Sequence, residues 1–402
     1  MPSSDRTLAP ASPEEVGLSR EGLANTDAAL QALIDAGELA GAVTLVARHG
    51  RLVHTNAMGV KSLATGEALA ADTIFRIFSM TKPVTAVAMV ILYDQGLWRP
   101  EDPIARHLPA LADLKLADGS APGRQPTMLD LMTHTAGFSY GFTPDDPVDA
   151  LYLQSHPLRA SSMTEMAERL GALPLAYEPG SQWRYSIAMD VQGAVIEGLS
   201  GQSLPDFMRT RIFEPLGMAD TGFFVPAEKQ DRLPGLYEMG PEGRLREARS
   251  LLGRDHQTTP ALPSGGGGLF STAADYARFA QMLLNRGEWA GQRIVSPQAV
   301  ALMTTNHLSE ALLAAGHGIG VQQIRPGYGY GFNGVVIYDP AAADLPVGAG
   351  TYLWDGAAGT WFWIDPVNDL LFVGLIQRMA VAGMPLVQPM TQRLIAKALL
   401  VG

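Results

Sequence analysis

The sequence predicts an α/β protein of the α+β kind, with one antiparallel sheet flanked by helices and a mostly helical domain inserted into it. Three observations carry this: a β-rich hairpin signal near the N-terminus, further β-rich runs near the C-terminus, and helix-start signals between them. Strands so far apart in sequence reach one sheet most simply if both ends of the chain build it. The expected division is 1–80 with 265–402 for the sheet domain and 81–264 for the helical domain, with the active site in the cleft between them. At 402 residues the chain exceeds the size at which one core usually stops growing, which also favours two lobes.

Along the chain, 41–54 reads as two β-rich runs about the turn His49-Gly50, an antiparallel hairpin. Residues 84–93 form the longest strongly apolar stretch, far short of the ~20 residues a membrane span needs, so a buried helix is expected there. Helix starts are signalled by Thr127 ahead of Asp130, Ser203 ahead of Asp206, and Ser271-Thr272 ahead of Asp275. The segment 226–254 lacks apolar periodicity and reads as a long surface excursion. Residues 328–338, 351–364 and 370–376 are β-rich and read as the closing strands of the sheet.

Composition narrows the function. With 47% apolar and 17% charged residues, 43 glycines and 28 prolines, this is a globular chain with many turns. A net charge of -11 argues against nucleic acid as a partner, since phosphate binding draws on clustered Lys and Arg. Cysteine is absent, which excludes disulfides, thiolate metal sites and a thiol nucleophile. The eight histidines show no His-x-x-x-His spacing, so neither a metal nor another cofactor is expected. The first residues, Met-Pro-Ser-Ser-Asp-Arg-Thr, lack the pattern of a signal peptide, and a cytoplasmic location without membrane attachment is the expectation.

Three motifs carry chemistry. The first is Ser79-Met80-Thr81-Lys82, opening the apolar segment. On a helix, residues three apart share a face, so Lys82 can help deprotonate Ser79 once burial or a neighbour lowers its pKa. Pro83 suits a helix start, and the helix dipole favours the anion formed in acyl transfer. With 20 serines and five lysines in the chain, about 0.25 such pairs arise by chance, so the pair is weak evidence alone. The second is Tyr185-Ser186-Ile187, whose tyrosine, lowered in pKa by an ammonium, can act as base toward the serine and then as acid toward the leaving group. The third is Trp354-Asp355-Gly356-Ala357 on a strand, where glycine permits close backbone approach and the next N–H can face an oxyanion.

In order and spacing the three motifs resemble those of bacterial family VIII carboxylesterases, relatives of class C β-lactamases and of D-Ala-D-Ala carboxypeptidases. The resemblance runs from about residue 10 to 395 and includes 131–137 and the glycine run 265–268 with 269–272. It implies a β-lactamase/transpeptidase-like fold and an acyl-enzyme mechanism. Ser79 would attack the carbonyl, Lys82 and Tyr185 would share the base role, and the N–H groups of Ser79 and Ala357 would form the oxyanion hole. His134 is expected to be a structural loop residue and the glycine run a tight backbone passage beside the cleft.

Two departures bear on substrate. Where the β-lactamases and carboxypeptidases usually carry a cation, this chain has Trp354 and then Asp355, which disfavours anionic substrates. Where Asn is frequent, it has Ile187, which removes a side chain able to hold an amide. Trp354, Asp355, Gly356 and Ile187 are thus the expected substrate-binding positions, with Trp354 as an apolar wall and Asp355 facing either the cleft or away from it. The partner is expected to be a small neutral ester, and β-lactamase activity weak or absent. The rivals are a β-lactamase or D-amino-acid peptidase, an acyltransferase, and a non-catalytic penicillin-binding-like protein. An α/β-hydrolase is disfavoured because no Gly-x-Ser-x-Gly occurs.

Overall fold

The computed structural model describes residues 7–248, 257–319, 322–379 and 384–400. Its central sheet has eight strands: β1 (Ala9–Pro10), β2 (Gly41–Arg48), β3 (Arg51–Gly59), β4 (Tyr328–Tyr330), β5 (Val335–Ile337), β6 (Thr351–Asp355), β7 (Trp361–Asp365) and β8 (Leu370–Leu375). They lie in the order β1-β3-β2-β8-β7-β6-β5-β4, so β2 and β8 join the two ends of the chain, with Val46 opposite Phe372. The sheet is mixed, not wholly antiparallel as expected, because the short edge strand β1 runs parallel to β3.

Local chemistry accounts for the turns. His49 and Gly50 both have positive φ, 52° and 69°, which a two-residue hairpin turn between right-twisted strands requires. The run 328–338 is interrupted at Gly331, whose N–H donates to Gly334 O (2.8 Å), and becomes the hairpin β4–β5. The run 351–364 breaks at 356–360, where Gly359 has φ 81° and donates to Gly356 O (2.8 Å).

Seven helices matter here: α1 (Arg20–Asp35), α2 (Thr81–Asp94), α3 (Met128–Thr133), α4 (Pro147–Ser155), α5 (Ala188–Ser200), α6 (Ala273–Leu284) and α7 (Val387–Ala398). All three signalled helix starts are real caps. Thr127, Ser203 and Thr272 each accept the N–H of the aspartate three residues on, at 3.3, 3.2 and 3.2 Å. In α2 every residue from Thr81 to Leu92 is buried, as a helix apolar on all sides must be.

The helices cover both faces of the sheet, and strand alternation decides what each face sees. The Trp361 indole N–H donates to Thr391 of α7 (3.2 Å), whereas Phe362 meets Tyr276 of α6 edge-on at 4.9 Å between ring centres. Trp354 is paired with Phe362 and therefore faces the α6 side, while Asp355, paired with Trp361, faces the α7 side. A continuous apolar cluster runs from Val43 and Phe372 in the sheet through Val87 and Ile91 of α2 to Val195 of α5.

The stretch expected as a surface excursion is anchored. It holds a short helical turn, Ala227–Arg232, and a hairpin of Tyr237–Met239 with Leu245–Glu247. Leu236 and Tyr237 are buried; the Tyr237 N–H donates to Gln377 O (2.9 Å) and its hydroxyl accepts from the Leu63 N–H (2.8 Å). Arg232 adds bonds to Asp72 O (3.0 Å) and Asp220 (2.8 Å), and the Gly235 N–H donates to Lys61 O (2.7 Å), so polar bonds and buried side chains pin a segment without periodicity. Residues 249–254 of that expectation lie outside the described residues. Among the described residues no helix is long and apolar enough to cross a membrane.

Candidate active site

The segment that carries Ser79 is held from both sides. Phe75–Arg76 pairs with Phe270–Ser271, the Ile77 N–H donates to Leu269 O (3.1 Å), and Tyr276 Oη donates to Met80 O (2.8 Å). The α-helix itself begins at Thr81, so Ser79 sits in a 3-10 turn, Phe78–Met80, just ahead of it. Phe78 has φ 43°, a left-handed conformation that a bulky side chain adopts only under constraint. Its ring is buried against Leu236, Ala358 and Met379, which supplies that constraint.

Three of the residues singled out from sequence converge. Ser79 Oγ lies 2.6 Å from Tyr185 Oη and 3.1 Å from Lys82 Nζ. Lys82 is 1% exposed, and its amine also lies 2.7 Å from Gly266 O and 3.2 Å from Tyr140 Oη. Burial pushes that amine down to about 7, with the carboxylates of Asp190 and Asp355 pulling it partly back up. A neutral amine has two N–H donors and one lone pair. The surroundings match that inventory: donation to Gly266 O and Tyr140 Oη leaves the lone pair for the Ser79 hydroxyl, while Tyr185 O–H donates to Ser79 Oγ. These proton positions are assigned from the network.

The Tyr185 phenol differs from expectation. Burial pushes it above its ordinary range, and hydrogen bonding to Ser79 only partly offsets this, so the resting phenol is neutral. The lowering expected from an ammonium fails because the lysine is itself driven toward the neutral form. Tyr185 is held in place by His134, which ends α3 at φ 61° and is fully buried. Its Nδ1 accepts the Ser186 N–H (3.2 Å) and packs the imidazole against the Tyr185 ring at 4.9 Å. The structural role expected of His134 is thus directed at the segment that carries Tyr185.

Tyr140 and Asp190 join the site without having been expected from the sequence. Asp190, 1% exposed in the first turn of α5, accepts from Ser264 Oγ (2.5 Å), the Gly266 N–H (3.2 Å) and Tyr140 Oη (3.4 Å). Its one visible signal is an acid inside the apolar run 187–196; Tyr140 has none. The glycine run is the tight passage expected: a Cβ on Gly266 would stand 2.6 Å from both Asp190 Oδ2 and Tyr140 Oη. Gly266 also contributes its carbonyl to Lys82, a part the sequence did not suggest.

On the third motif, Gly356 lies so close to the Ser79 turn that a Cβ would overlap Ile77 O and Thr360 Oγ1. The glycine therefore lets β6 approach that turn, whereas close approach to a substrate was expected. Ala357 beside it is exposed. The surrounding bonds run from Gly356 N–H to Thr360 O and from Arg378 N–H to Ala358 O, and the Ser79 turn is closed by the Met80 N–H on Ile77 O. Both amides expected to form the oxyanion hole, those of Ser79 and Ala357, lie outside these bonds.

Two expected substrate contacts are corrected. Trp354 and Ile187 are each 2% exposed and belong to the core, so neither offers a wall to a substrate. Trp354 lies on the inward face of β6, between Tyr330 and Tyr185 at 5.5 and 5.9 Å between ring centres. Its indole N–H faces the Tyr185 hydroxyl and helps hold the phenol down, without meeting strict hydrogen-bond geometry. Ile187 stands at the N-cap of α5, and its N–H donates to Ser139 O (3.4 Å). Asp355, on the opposite face of β6, lines a cavity of about 290 Å3 with Leu353, Gly356, Trp361, Met384 and Gln388. Burial pushes its carboxyl up to about 7, and Lys82 pulls it back down. No group of three or more His, Asp or Glu side chains among the described residues is placed to hold a metal ion.

Chemically, a serine hydroxyl between a neutral amine and a neutral phenol is equipped for nucleophilic attack with return of the proton to a leaving group. The family model described as Beta-lactamase matches residues 26–397. Protein Rv1367c of Mycobacterium tuberculosis is 38% identical over 366 residues, covering 88% of this chain and 90% of the relative. Esterase EstB of Burkholderia gladioli is 32% identical over 377 residues, covering 90% and 91%. The solved structure of EstCE1, a hydrolase with promiscuous acyltransferase activity, superposes with a TM-score of 0.79 at 28% identity, covering 94% of this chain and 99% of that one.

Proposed function

Since the chain belongs to the Beta-lactamase family, within the class C β-lactamase-like superfamily that includes the family VIII esterases, and is a serine hydrolase of that fold, we propose that it is a carboxylesterase acting on small neutral esters. The observation that carries this is the contact triangle of Ser79, Lys82 and Tyr185, with the buried indole of Trp354 where a carboxylate-binding cation would stand. The likeness to EstB and EstCE1 supports it.

In this mechanism the Lys82 amine takes the Ser79 proton as Oγ bonds to the ester carbonyl carbon, and the amides of Ser79 and Ala357 receive the oxyanion. Tyr185 O–H gives its proton to the departing alkoxide as the carbon–oxygen bond breaks, and recovers one from Lys82. Water then releases the acid by the same steps reversed. Transfer to an alcohol in place of water is a second reading, favoured by the likeness to EstCE1.

The test is turnover of short p-nitrophenyl esters beside the cephalosporin nitrocefin, each with wild type and Ser79→Ala. Ester hydrolysis that depends on Ser79 and exceeds nitrocefin hydrolysis by a factor of at least about 100 in kcat/KM is expected, since Trp354 fills the motif position from which a cation would hold the cephalosporin carboxylate. Nitrocefin as the better substrate would sink the ester reading.

A base that must be neutral makes activity rise with pH through about 7, where Lys82 titrates. Because the Asp190 carboxylate raises that value, Asp190→Asn is expected to move the acidic midpoint of kcat/KM to lower pH, asparagine keeping an acceptor for Ser264 and Gly266. A pH profile whose midpoint stays put or rises would remove Lys82 from the base role.

A further inference from the structure

Phe142 is 68% exposed, yet its ring packs on two tyrosines of the site. It stacks on Tyr140 at 5.0 Å and 20° between ring planes, and on Tyr185 at 6.3 Å and 30°. Those are the two tyrosines whose hydroxyls contact Lys82 and Ser79. Singly exposed apolar side chains are ordinary on protein surfaces; Val367, also 68% exposed, merely caps the turn between β7 and β8.

The loop that presents Phe142 is pinned. Asp149, 1% exposed, accepts from Ser139 Oγ, from the Thr143 N–H (2.8 Å) and from Arg184 (2.8 Å). Gly141 turns at φ 77°, a conformation side chains rarely adopt, and a Cβ there would sit tightly, 3.0 Å from Leu153 and 3.1 Å from Asp149 O. A flat apolar face held against the two tyrosines of the site binds a flat apolar group without first losing its own freedom.

We propose that the outward face of Phe142 is a binding surface for an aromatic ring of the ester, carried on its acid or its alcohol side, which makes this chain selective for aryl over alkyl esters. This rests on the esterase reading. An aromatic pair of this kind corresponds to about 3- to 10-fold in kcat/KM.

The test compares ethyl propanoate, phenyl propanoate and ethyl phenylacetate with wild type, Phe142→Ala and Phe142→Tyr. Phe142→Ala is expected to lower kcat/KM for at least one aryl ester about 3- to 10-fold more than for ethyl propanoate, and Phe142→Tyr to restore it. A fall confined to phenyl propanoate places the ring on the alcohol side, and one confined to ethyl phenylacetate on the acid side. Ratios between substrates do not depend on how much variant folds. Equal change for all three esters, or none, overturns the proposal while the esterase reading stands; wild type that hydrolyses none of them overturns both.

Discussion

Ser79→Ala is expected to lower ester turnover about 10^4-fold or more, Lys82→Met to do nearly the same, and the double variant to be no worse than either. The non-additivity follows from geometry: with Lys82 Nζ 3.1 Å from Ser79 Oγ, the amine has no catalytic task once the hydroxyl is gone. Stability separates the two variants. A fully buried amine whose pKa falls from 10.5 to about 7 binds more protons in the unfolded chain than in the folded one between those values. Its burial therefore opposes folding in full below about pH 7, and the penalty fades as pH rises toward 10.5. Lys82→Met is expected to melt about 1–3 °C above wild type at pH 7, with the gain shrinking toward pH 10, whereas Ser79→Ala shows no such pH-dependent gain. Thermal melts across pH check this; a Lys82→Met protein that retains a tenth of wild-type turnover would dismiss the lysine from the mechanism.

Gly356→Ala is expected to cost about 100- to 1000-fold in kcat with KM changed little, and to lower the melting temperature. The added Cβ would meet Ile77 O and Thr360 Oγ1, and Thr360 Oγ1 already donates to Ile77 O (3.1 Å). Neither is the free end of a flexible side chain, so β6 must retreat from the turn carrying Ser79, and the amides of Ser79 and Ala357 separate. Loss of one such donor accounts for the factor given. Steady-state kinetics beside a melt decide it: full activity at unchanged stability would mean that the strand and the turn do not share an oxyanion site.

The legible part of this protein was local. Thr127, Ser203 and Thr272 cap helices because each side chain reaches an N–H three residues on, and His49-Gly50 turns because two adjacent residues accept positive φ. Ser79 and Lys82 meet because one turn brings them together. Those interactions are fixed within a few bonds of chain, so the sequence by itself determined them, and with them the class of chemistry.

Tertiary structure decided the rest, for reasons of distance and facing. The other groups on the Lys82 amine come from Tyr140, 58 residues away, and Gly266, 184 residues away, and no local pattern records that they converge. Trp354 and Asp355 are neighbours in sequence, yet the strand's alternation sends the indole into the core and the carboxyl to a cavity on the other side. Ile187 offered an apolar side chain that could equally have lined a cleft; helix packing buried it. The protonation state of the site is likewise a tertiary property, because an amine near 7 and a neutral phenol arise from the burial of Lys82 and from the groups packed around Tyr185, which only the packing of sheet and helices brings together.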